Sequence, residues 1–423
     1  MSDDWSLSDA EAYLRSLEPI GWRFGLDRMR LLSSALGLPQ HRFASIHIVG
    51  TNGKSSTASM SAALLEAHGV SAGAYLSPHI DSWSDRVQLG GAPIDGASFA
   101  AAVQRAEEAA VVVNRSLDDG DVVTQFELLT AAAFVAYASA RVEVVAIEAG
   151  LGGRLDATNV IPSRVTALTS IGLEHTALLG ESESEIATEK LAVLRDRSTL
   201  VVGPLSEEVG SLARAAAAAR HARLVEAAAP APKLAALVRG GFQRQNLGVA
   251  LASVEAAIGS VDPDRAATAI AGLELPGRLE RLPGEPPLFL DSAHNPAGAT
   301  ALADALPELS AARPVVGCLA VLDDKDVRGI AGALSGVVSD LVCTEIPVAA
   351  LKAAGRGGSR SLPAERLAEV CRDAGIASVT ATSQPVAAVG QALAIARERD
   401  GVALCAGSHY LSSYVWTARR AQS

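Results

Sequence analysis

The stretch Ile46–Thr57, IHIVGTNGKSST, decides the fold. A short apolar run is followed by a Gly-Thr-Asn-Gly turn, and Lys54 then begins a helical segment rich in hydroxyl side chains. Glycines let backbone N–H groups approach a phosphate closely, a helix N-terminus adds partial positive charge, and a lysine can reach the outer phosphates while Ser55 or Ser56 holds Mg²⁺. The pattern predicts a phosphate-binding loop. The strict Walker sequence has glycine where this chain has Ile48, and a surface turn before a helix also uses Asn and Gly.

Length and composition restrict the class of protein. The 423 residues exceed one ordinary core and predict two or three domains. A net charge of −11 argues against a nucleic-acid binder or a protein of anionic membrane surfaces. The four cysteines lie far apart without a C-x-x-C pair, which is typical of buried thiols in a reducing compartment. The N-terminus MSDDWSLSDA is polar, and no apolar run reaches the ~18 residues of a membrane span. We therefore expect a cytoplasmic protein.

Ligand-capable side chains follow three further predicted strands. Ser77 and His175 each come just after an apolar strand, and Glu148 follows a third, ahead of the run GLGGRLDATN at 150–159. Open α/β sheets bind ligands at the carboxyl ends of their strands. Burying Glu148 would cost several kcal/mol unless it were paired or bound to a metal, so we interpret it as a contact to a metal or Mg-nucleotide. A turn serine and a satisfied loop histidine are the alternatives for the other two.

Apolar periodicity predicts alternating helices and strands. The predicted helices are Leu7–Leu17, Gly25–Leu36, Ala58–His68, Ser98–Ala110, Phe126–Ala140, Ser184–Leu194 and Gly241–Ile258. The predicted strands after the phosphate loop are Ser71–Leu76, Val142–Ala146, Val165–Ser170, Leu288–Asp291, Val315–Val321, Asp340–Thr344 and Val402–Ala406. The Ala-rich stretch 211–238 reads as a linker or a peripheral helix, and Leu275–Glu280 reads as a turn.

A proline- and glycine-rich segment, Pro283–Pro287, marks the best domain boundary. Beyond it strands and helices alternate again, which indicates a Rossmann-like domain, without a G-x-G-x-x-G motif in a strand–helix context. We therefore predict an α/β protein in which a phosphate-loop domain at residues 1–285 is followed by a smaller Rossmann-like domain at residues 286–423.

Together these motifs resemble the folylpolyglutamate synthase and dihydrofolate synthase family of the Mur ligase superfamily. The matching motifs are Gly50–Ser56, Ser77–His79, Phe126–Glu127, Glu148, Gly150–Asn159, Ile171–Gly172, His175, Leu179–Gly180, Glu189–Lys190, Pro276–Arg278, Asp291, Ala293–Pro296, Asp324–Asp326 and Gly407–Ser408. The resemblance covers most of the chain, and GLGGRLDATN is its most specific part. It implies a Mur-ligase-type ATPase domain followed by a glutamate ligase domain.

The resemblance also implies roles for individual residues. Positions that match ATP contacts are Gly50, Thr51, Asn52, Gly53, Lys54, Ser55, Ser56, Asn246, Arg278, Asp291 and His294. Positions that match the site of two Mg²⁺ ions are Ser55, Ser77, Glu148, His175 and Lys190, the last of which is carbamylated in family members. Positions that match the pterin-acid site are Leu26, Asp27, Arg28, Thr124, Phe126, Glu127, Leu155, Asp156 and Ala157. Lys54, Glu148, His175 and Lys190 would be the catalytic residues.

The implied reaction is ATP-dependent joining of L-glutamate to dihydropteroate, to a folate, or to both. A carboxylate is a poor electrophile, so ATP would first convert it to an acyl phosphate. ATP would lie between two domains whose closure excludes water. The substrates are small molecules, and a monomer is expected from the resemblance.

Several positions depart from the family pattern. Ser55 and Ser292 stand where relatives usually have glycine, Phe242 stands where histidine is common, and residues 191–193 differ from the usual Ala-Gly-Ile. These changes leave ATP and magnesium chemistry in place and put the acceptor acid in question. One alternative is therefore a sibling ligase that acts on another carboxylic acid in a specialised pathway. A non-catalytic ATP-binding descendant is the other, and retention of all four catalytic positions argues against it.

Overall fold

The computed structural model describes residues 4–17, 25–79, 81–118, 120–354 and 358–421, so the first three residues of the polar N-terminus lie outside it. The chain forms two compact units. The first comprises the chain up to Val238 together with Arg244–Leu273, and the second comprises Arg239–Gln243 together with the chain from Glu274 onward.

Within the described ranges, the first unit contains an eight-stranded sheet. Its strands are β1 (Ala44–Val49), β2 (Ala72–Tyr75), β3 (Val87–Leu89), β4 (Ala92–Pro93), β5 (Val144–Glu148), β6 (Val165–Leu168), β7 (Thr199–Val202) and β8 (Arg223–Glu226). Their order is β4-β3-β2-β5-β1-β6-β7-β8, and the hairpin strands β3 and β4 pair antiparallel while the others run parallel. β1 and β5 are central and almost wholly buried, which explains why apolar residues predominate in both.

Helices cover this sheet. They are α1 (Leu7–Ser16), α2 (Asp27–Ala35), α3 (Lys54–Ala67), α4 (Gly96–Asn114), α5 (Gln125–Ser139), α6 (Thr176–Leu179), α7 (Glu183–Leu191), α8 (Glu207–Ala219), α9 (Pro232–Ala235), α10 (Gly241–Ile258) and α11 (Pro263–Ala271). The helix predicted to be buried on all sides is α5, and it packs against α4 within the main apolar cluster of this unit. A capping box between Thr124 and Glu127 begins α5.

The parallel register sets the place of the site. β2, β5, β1 and β6 are neighbours, and Ile48 of β1 lies opposite Glu148 of β5. The carboxyl ends of these strands therefore meet at one edge of the sheet. That edge carries the phosphate loop, Ser77, Glu148 and the segment leading to His175.

The second unit contains a six-stranded sheet in the described part of the chain. Its strands are β9 (Arg278–Leu282), β10 (Leu288–Asp291), β11 (Val315–Leu319), β12 (Asp340–Cys343), β13 (Ser378–Ala381) and β14 (Val402–Ala406), in the order β13-β12-β11-β14-β10-β9. Its helices are α12 (Pro296–Ser310), α13 (Val327–Leu334), α14 (Val348–Ala353), α15 (Ala364–Asp373), α16 (Pro385–Glu398) and α17 (Ser412–Arg420). Only β9 runs antiparallel to its neighbour, and apolar clusters fill both faces.

The α/β fold class is confirmed, and two local predictions are corrected. The Ala-rich stretch contains β8, because its Arg223–Glu226 segment pairs with β7 at the sheet edge, a contact that composition does not encode. The predicted turn at Leu275–Glu280 becomes β9 from Arg278, because β9 pairs with β10. β9 precedes the predicted boundary at 285, and the compact units divide after Leu273 instead.

The helices of the described residues include none that is both long enough and apolar enough to cross a membrane. All four cysteines are buried and free of disulfide bonds.

Candidate active site

The phosphate loop follows β1, and the segment just after β6 holds it by hydrogen bonds. The Thr51 amide donates to the Ser170 carbonyl at 2.8 Å, and the Asn52 amide donates to Ser170 Oγ at 3.1 Å. Thr51 Oγ1 donates to the Gly172 carbonyl at 3.0 Å and accepts from the Gly172 amide at 3.1 Å. These bonds fix the loop to the segment that leads to His175.

Two glycines of the loop allow close approaches that no other residue permits. Gly50 has a φ of 150°, and a Cβ there would lie 1.9 Å from Thr169 Oγ1. Gly53 has a left-handed φ of 85°, and a Cβ there would lie 2.1 Å from Asn246 Oδ1. Gly53 also precedes α3 without a side-chain cap of its own, and the N-terminus of a helix attracts anions.

Two lysines donate to one carbonyl oxygen. Lys54 Nζ donates to the carbonyls of Gly50 at 3.1 Å and Thr51 at 3.0 Å, and Lys190 Nζ donates to the Gly50 carbonyl at 2.8 Å. Lys190 is 3% exposed. Burial and the nearby charge of Lys54 lower the pKa of Lys190 to about 7. The structure thus gathers positive charge beneath the loop, with one amine that is easily made neutral.

Oxygen donors lie at the start of α3 and at the ends of the neighbouring strands β2 and β5. The Glu148 carboxylate is buried at the end of β5 and accepts from the Ser77 amide at 2.9 Å, and Ser55 Oγ lies 3.5 Å from the Ser77 carbonyl. Hydroxyl and carboxylate oxygens are the donors that Mg²⁺ prefers, so this set fits the predicted metal. Among the residues described, no group of three or more His, Cys, Asp or Glu could hold a metal by itself. Nucleotide phosphates would supply further ligands.

His175 occupies an unusual backbone position. It has a left-handed φ of 49° at the N-terminus of α6, and its Nε2 lies 3.7 Å from Glu174 Oε1. Histidine is among the residues that tolerate this conformation. The predicted metal role of His175 stays a prediction.

Two residues predicted for the acceptor acid, Arg28 and Glu127, belong to a largely buried charge cluster. Arg28 Nε donates to both carboxylate oxygens of Glu127 at 3.1 and 3.0 Å, and Arg28 Nη1 donates to both oxygens of Asp121 at 3.1 and 3.2 Å. The sequence did not single out Asp121, which lies in an acidic loop without a recognisable motif. Glu127 also accepts from the Thr124 amide and hydroxyl. Leu26 is buried nearby in sequence, whereas Asp27 pairs with Arg30 on the exposed face of α2.

The GLGGRLDATN run folds around Asp156. Its carboxylate accepts from the amides of Leu151 at 2.8 Å and Thr158 at 3.0 Å, and Asp156 caps the short 3₁₀ helix Ala157–Val160. Burial raises the pKa of Asp156. The neighbouring Leu155 is 37% exposed. Phe126 lies so close to Gly150 that a Cβ on that glycine would be 2.5 Å from the ring.

In the second unit, Asp291 ends β10. Its carboxylate accepts from the amides of Leu279 at 2.8 Å and Ala293 at 2.8 Å, and burial raises its pKa. His294 Nδ1 donates to the Ser292 carbonyl at 2.8 Å.

A second histidine completes this cluster. Arg278 Nη2 lies 3.5 Å from His409 Nε2, and the His294 and His409 rings are 5.5 Å apart. The sequence placed His409 after the last strand without assigning it a role. The signal that could have identified His409 as a site residue is its position just after β14, the strand that pairs with β10.

Sequence and fold are both similar to those of known ligases. Residues 277–409 match the family described as Mur ligase, glutamate ligase domain. The chain is 36% identical over 382 residues to the dihydrofolate synthase/folylpolyglutamate synthase of Mycobacterium tuberculosis, covering 81% of this chain and 76% of that protein. This chain belongs to the folylpolyglutamate synthase/dihydrofolate synthase family. The Mycobacterium tuberculosis folylpolyglutamate synthase complexed with ADP matches the fold with a TM-score of 0.85 at 32% identity over 98% of each chain. A bifunctional folylpolyglutamate synthase/dihydrofolate synthase with Mn, AMPPNP and L-glutamate bound gives 0.80 at 26% identity over 98% of each chain.

The predicted family is therefore confirmed, and so is its Mur-ligase fold. In this member of the folylpolyglutamate synthase/dihydrofolate synthase family, the first unit joins Lys54 and Lys190 to the Gly50 carbonyl and places Asn246 against Gly53. It also links Ser55, Ser77 and Glu148. Residues 26–28, 124–127 and 155–157 belong to the same unit. Arg278, Asp291 and His294 belong to the second unit.

Proposed function

We propose that this protein is an ATP-dependent ligase that joins L-glutamate to dihydropteroate, to a folate, or to both. The observation that carries the proposal is the pair of lysines on the Gly50 carbonyl, together with the hydrogen bonds that link Ser55, Ser77 and Glu148. It is supported by the similarity to the Mycobacterium tuberculosis dihydrofolate synthase/folylpolyglutamate synthase and to the bifunctional synthase with Mn, AMPPNP and L-glutamate bound.

The reaction has two steps. A carboxylate oxygen of the acceptor attacks the γ-phosphorus of ATP, the bond to the β-phosphate oxygen breaks, and ADP leaves. The amine of glutamate then attacks the acyl carbon, phosphate departs with the bonding electrons of the C–O bond, and the nitrogen loses a proton. Lys54 and the N–H groups at the start of α3 stabilise the negative charge that develops on the phosphate oxygens.

Ser55, Ser77, Glu148 and His175 are the residues that would hold two magnesium ions. Bound there, Mg²⁺ would neutralise charge on the phosphates as a Lewis acid. We further propose that Lys190 is carbamylated. A neutral Lys190 amine would add to carbon dioxide and release a proton, which leaves an anionic carbamate. Its burial and the second ammonium on the same carbonyl acceptor support this, because both disfavour a charged Lys190.

Further contacts complete the proposal. Asn246, Arg278, Asp291 and His294 would bind the nucleotide, and the rest of the loop, Thr51, Asn52 and Ser56, would surround its phosphates. The segments containing Arg28, Phe126, Glu127 and Leu155–Ala157 would bind the acceptor acid. Because Glu127 and Asp121 already compensate the charge of Arg28, we assign Arg28 to orienting these carboxylates.

The test is phosphate release by purified protein with Mg-ATP and L-glutamate, with dihydropteroate or tetrahydrofolate added in parallel. Product mass should rise by one glutamyl group. Turnover with dihydropteroate alone would identify a dihydrofolate synthase, and turnover with both acids a bifunctional enzyme. Lys54→Ala should abolish acceptor-dependent release. ATP binding without turnover on either acid would refute the proposed acceptor class and favour a sibling ligase.

We also propose that the enzyme acts as a monomer in the cytoplasm. The four free, buried thiols support a reducing compartment. Analytical ultracentrifugation would test the monomer, since a sedimentation mass of twice 43.3 kDa would contradict it.

A further inference from the structure

His47 is a fully buried histidine in the middle of β1, three residues before the phosphate loop. Its Nε2 lies 2.9 Å from Thr158 Oγ1, although the two residues are 111 positions apart in sequence. Thr158 Oγ1 in turn donates to Asp156 Oδ1 at 2.5 Å. Three side chains therefore form a continuous hydrogen-bonded line from the central strand to the GLGGRLDATN run.

The chemistry of the middle group sets the direction of this line. A hydroxyl has one proton, and Thr158 donates it to the Asp156 carboxylate, which only accepts when ionised. Thr158 must therefore accept from His47, so Nε2 carries the imidazole proton. His47 Nδ1 has no hydrogen-bond partner among the residues described, as an unprotonated nitrogen allows. Burial and the charge of Arg195 also lower the pKa of His47 to about 3, which keeps the ring neutral.

At its far end the line reaches a carboxylate that shapes a loop. Asp156 Oδ2 accepts from the Leu151 amide while Oδ1 accepts from the Thr158 amide. One side chain thus joins the glycine turn to the 3₁₀ helix Ala157–Val160. The orientation of that carboxylate fixes the path of the intervening backbone, including the partly exposed Leu155.

We propose that His47 is a positioning residue. Through Thr158 and Asp156 it would fix the backbone path of residues 150–157, which include the proposed acceptor-acid contacts. The inference rests on the proposed function, which assigns Leu155–Ala157 to the acceptor acid. The role of His47 is inferred from geometry alone, because the family resemblance assigns no role to this residue. A histidine that merely fills the core would affect stability and nucleotide binding without singling out the acceptor.

The chain offers both a conservative variant and a matched control. His47→Gln keeps an N–H donor near the Nε2 position, whereas His47→Leu removes it. Thr166 lies opposite His47 on β6 and is also buried, and its Oγ1 has no hydrogen-bond partner in the described part of the chain. Thr166→Val therefore removes a buried polar atom beside His47 and leaves the relay, the hydrogen bonds from His47 to Thr158 and from Thr158 to Asp156, intact.

The kinetic experiment measures kcat, KM for dihydropteroate and KM for ATP in the full-length variants. His47→Leu should raise KM for dihydropteroate about tenfold, as expected for one lost buried hydrogen bond, with KM for ATP and kcat close to wild type. His47→Gln should restore most of the acceptor KM, and Thr166→Val should change none of the three. An unchanged acceptor KM in His47→Leu, or equal increases in both KM values, would overturn the proposal.

Two measurements without substrate separate this inference from the proposed function. Nitrogen-15 NMR should show His47 protonated at Nε2 and unchanged between about pH 5 and about pH 9, and a proton at Nδ1 or a titration in that range would overturn the relay. Hydrogen exchange of residues 150–157 should be faster in His47→Leu than in Thr166→Val, and equal rates would count against it. If wild-type protein makes no glutamyl product, the proposed function fails while these two measurements still decide the relay.

Discussion

Gly53→Ala tests whether the phosphate loop depends on its close approach to Asn246. An added Cβ at Gly53 would lie 2.1 Å from Asn246 Oδ1, in a backbone with a φ of 85°. Gly69 follows the other end of α3 with a φ of 79°, and nothing lies within 4 Å of a Cβ added there. Gly69→Ala is therefore a matched control, because it shares the backbone strain and lacks the steric contact.

The size of the effect follows from these two differences. A left-handed conformation costs alanine about 1–2 kcal/mol at either position. The contact with Asn246 adds about 1–3 kcal/mol at Gly53, the usual cost of forcing an extra carbon into a filled space. We expect Gly53→Ala to lower the free energy of unfolding by about 1–3 kcal/mol more than Gly69→Ala does. If Asn246 turns away instead, nucleotide affinity should fall, by about tenfold for each ~1.4 kcal/mol of binding free energy that is lost.

Two assays cover both outcomes. Urea denaturation gives the free energy of unfolding of each variant, and calorimetric titration with AMPPNP in the presence of Mg²⁺ gives nucleotide affinity. Equal stability and equal affinity in the two variants would refute the steric argument at Gly53, since backbone strain alone would then account for everything.

Three further predictions concern buried ionisable groups. Glu148→Gln keeps an acceptor for the Ser77 amide and removes the charge, so it should stay folded and lose at least about a hundredfold in Mg²⁺-dependent turnover, measured by phosphate release. Arg28→Met should cost about 3 kcal/mol of unfolding free energy because it leaves Glu127 buried and unpaired, whereas Arg30→Met on the exposed face should cost under about 1 kcal/mol in the same urea assay. His47 has a pKa of about 3 in the folded protein and 6.5 in the unfolded chain. The unfolded chain therefore binds a proton first as the pH drops from 6.5 toward 3, and the free energy of unfolding should fall over that range. His47→Gln should remove the contribution of His47 to that slope.

Much of the fold could be predicted because its signals are local. β14, Val402–Ala406, was predicted with both ends correct, since a short apolar run between polar turns defines a buried strand without help from distant residues. The buried helix α5 was predicted to within one residue at each end for the same reason. β8 was missed because an edge strand in an alanine-rich stretch is defined by its pairing with β7.

The candidate site divides in the same way. Neighbouring residues alone predicted a phosphate loop and its lysine, because glycines and a helix start must be adjacent in sequence to bind phosphate. Other charged residues of the candidate site bind partners that lie far away in the sequence. Lys190 reaches Gly50 across 140 positions, and Asp121 reaches Arg28 across 93.

The sequence by itself therefore determined the α/β class and the family and predicted the phosphate loop, because local periodicity or contiguous motifs indicate each of them. Only the tertiary structure decided that Lys54 and Lys190 share one carbonyl and that His47 reaches Asp156 through Thr158. The physical reason is the order and register of the sheet. They bring strands and loops together across more than a hundred residues, and no single strand's sequence specifies its neighbours.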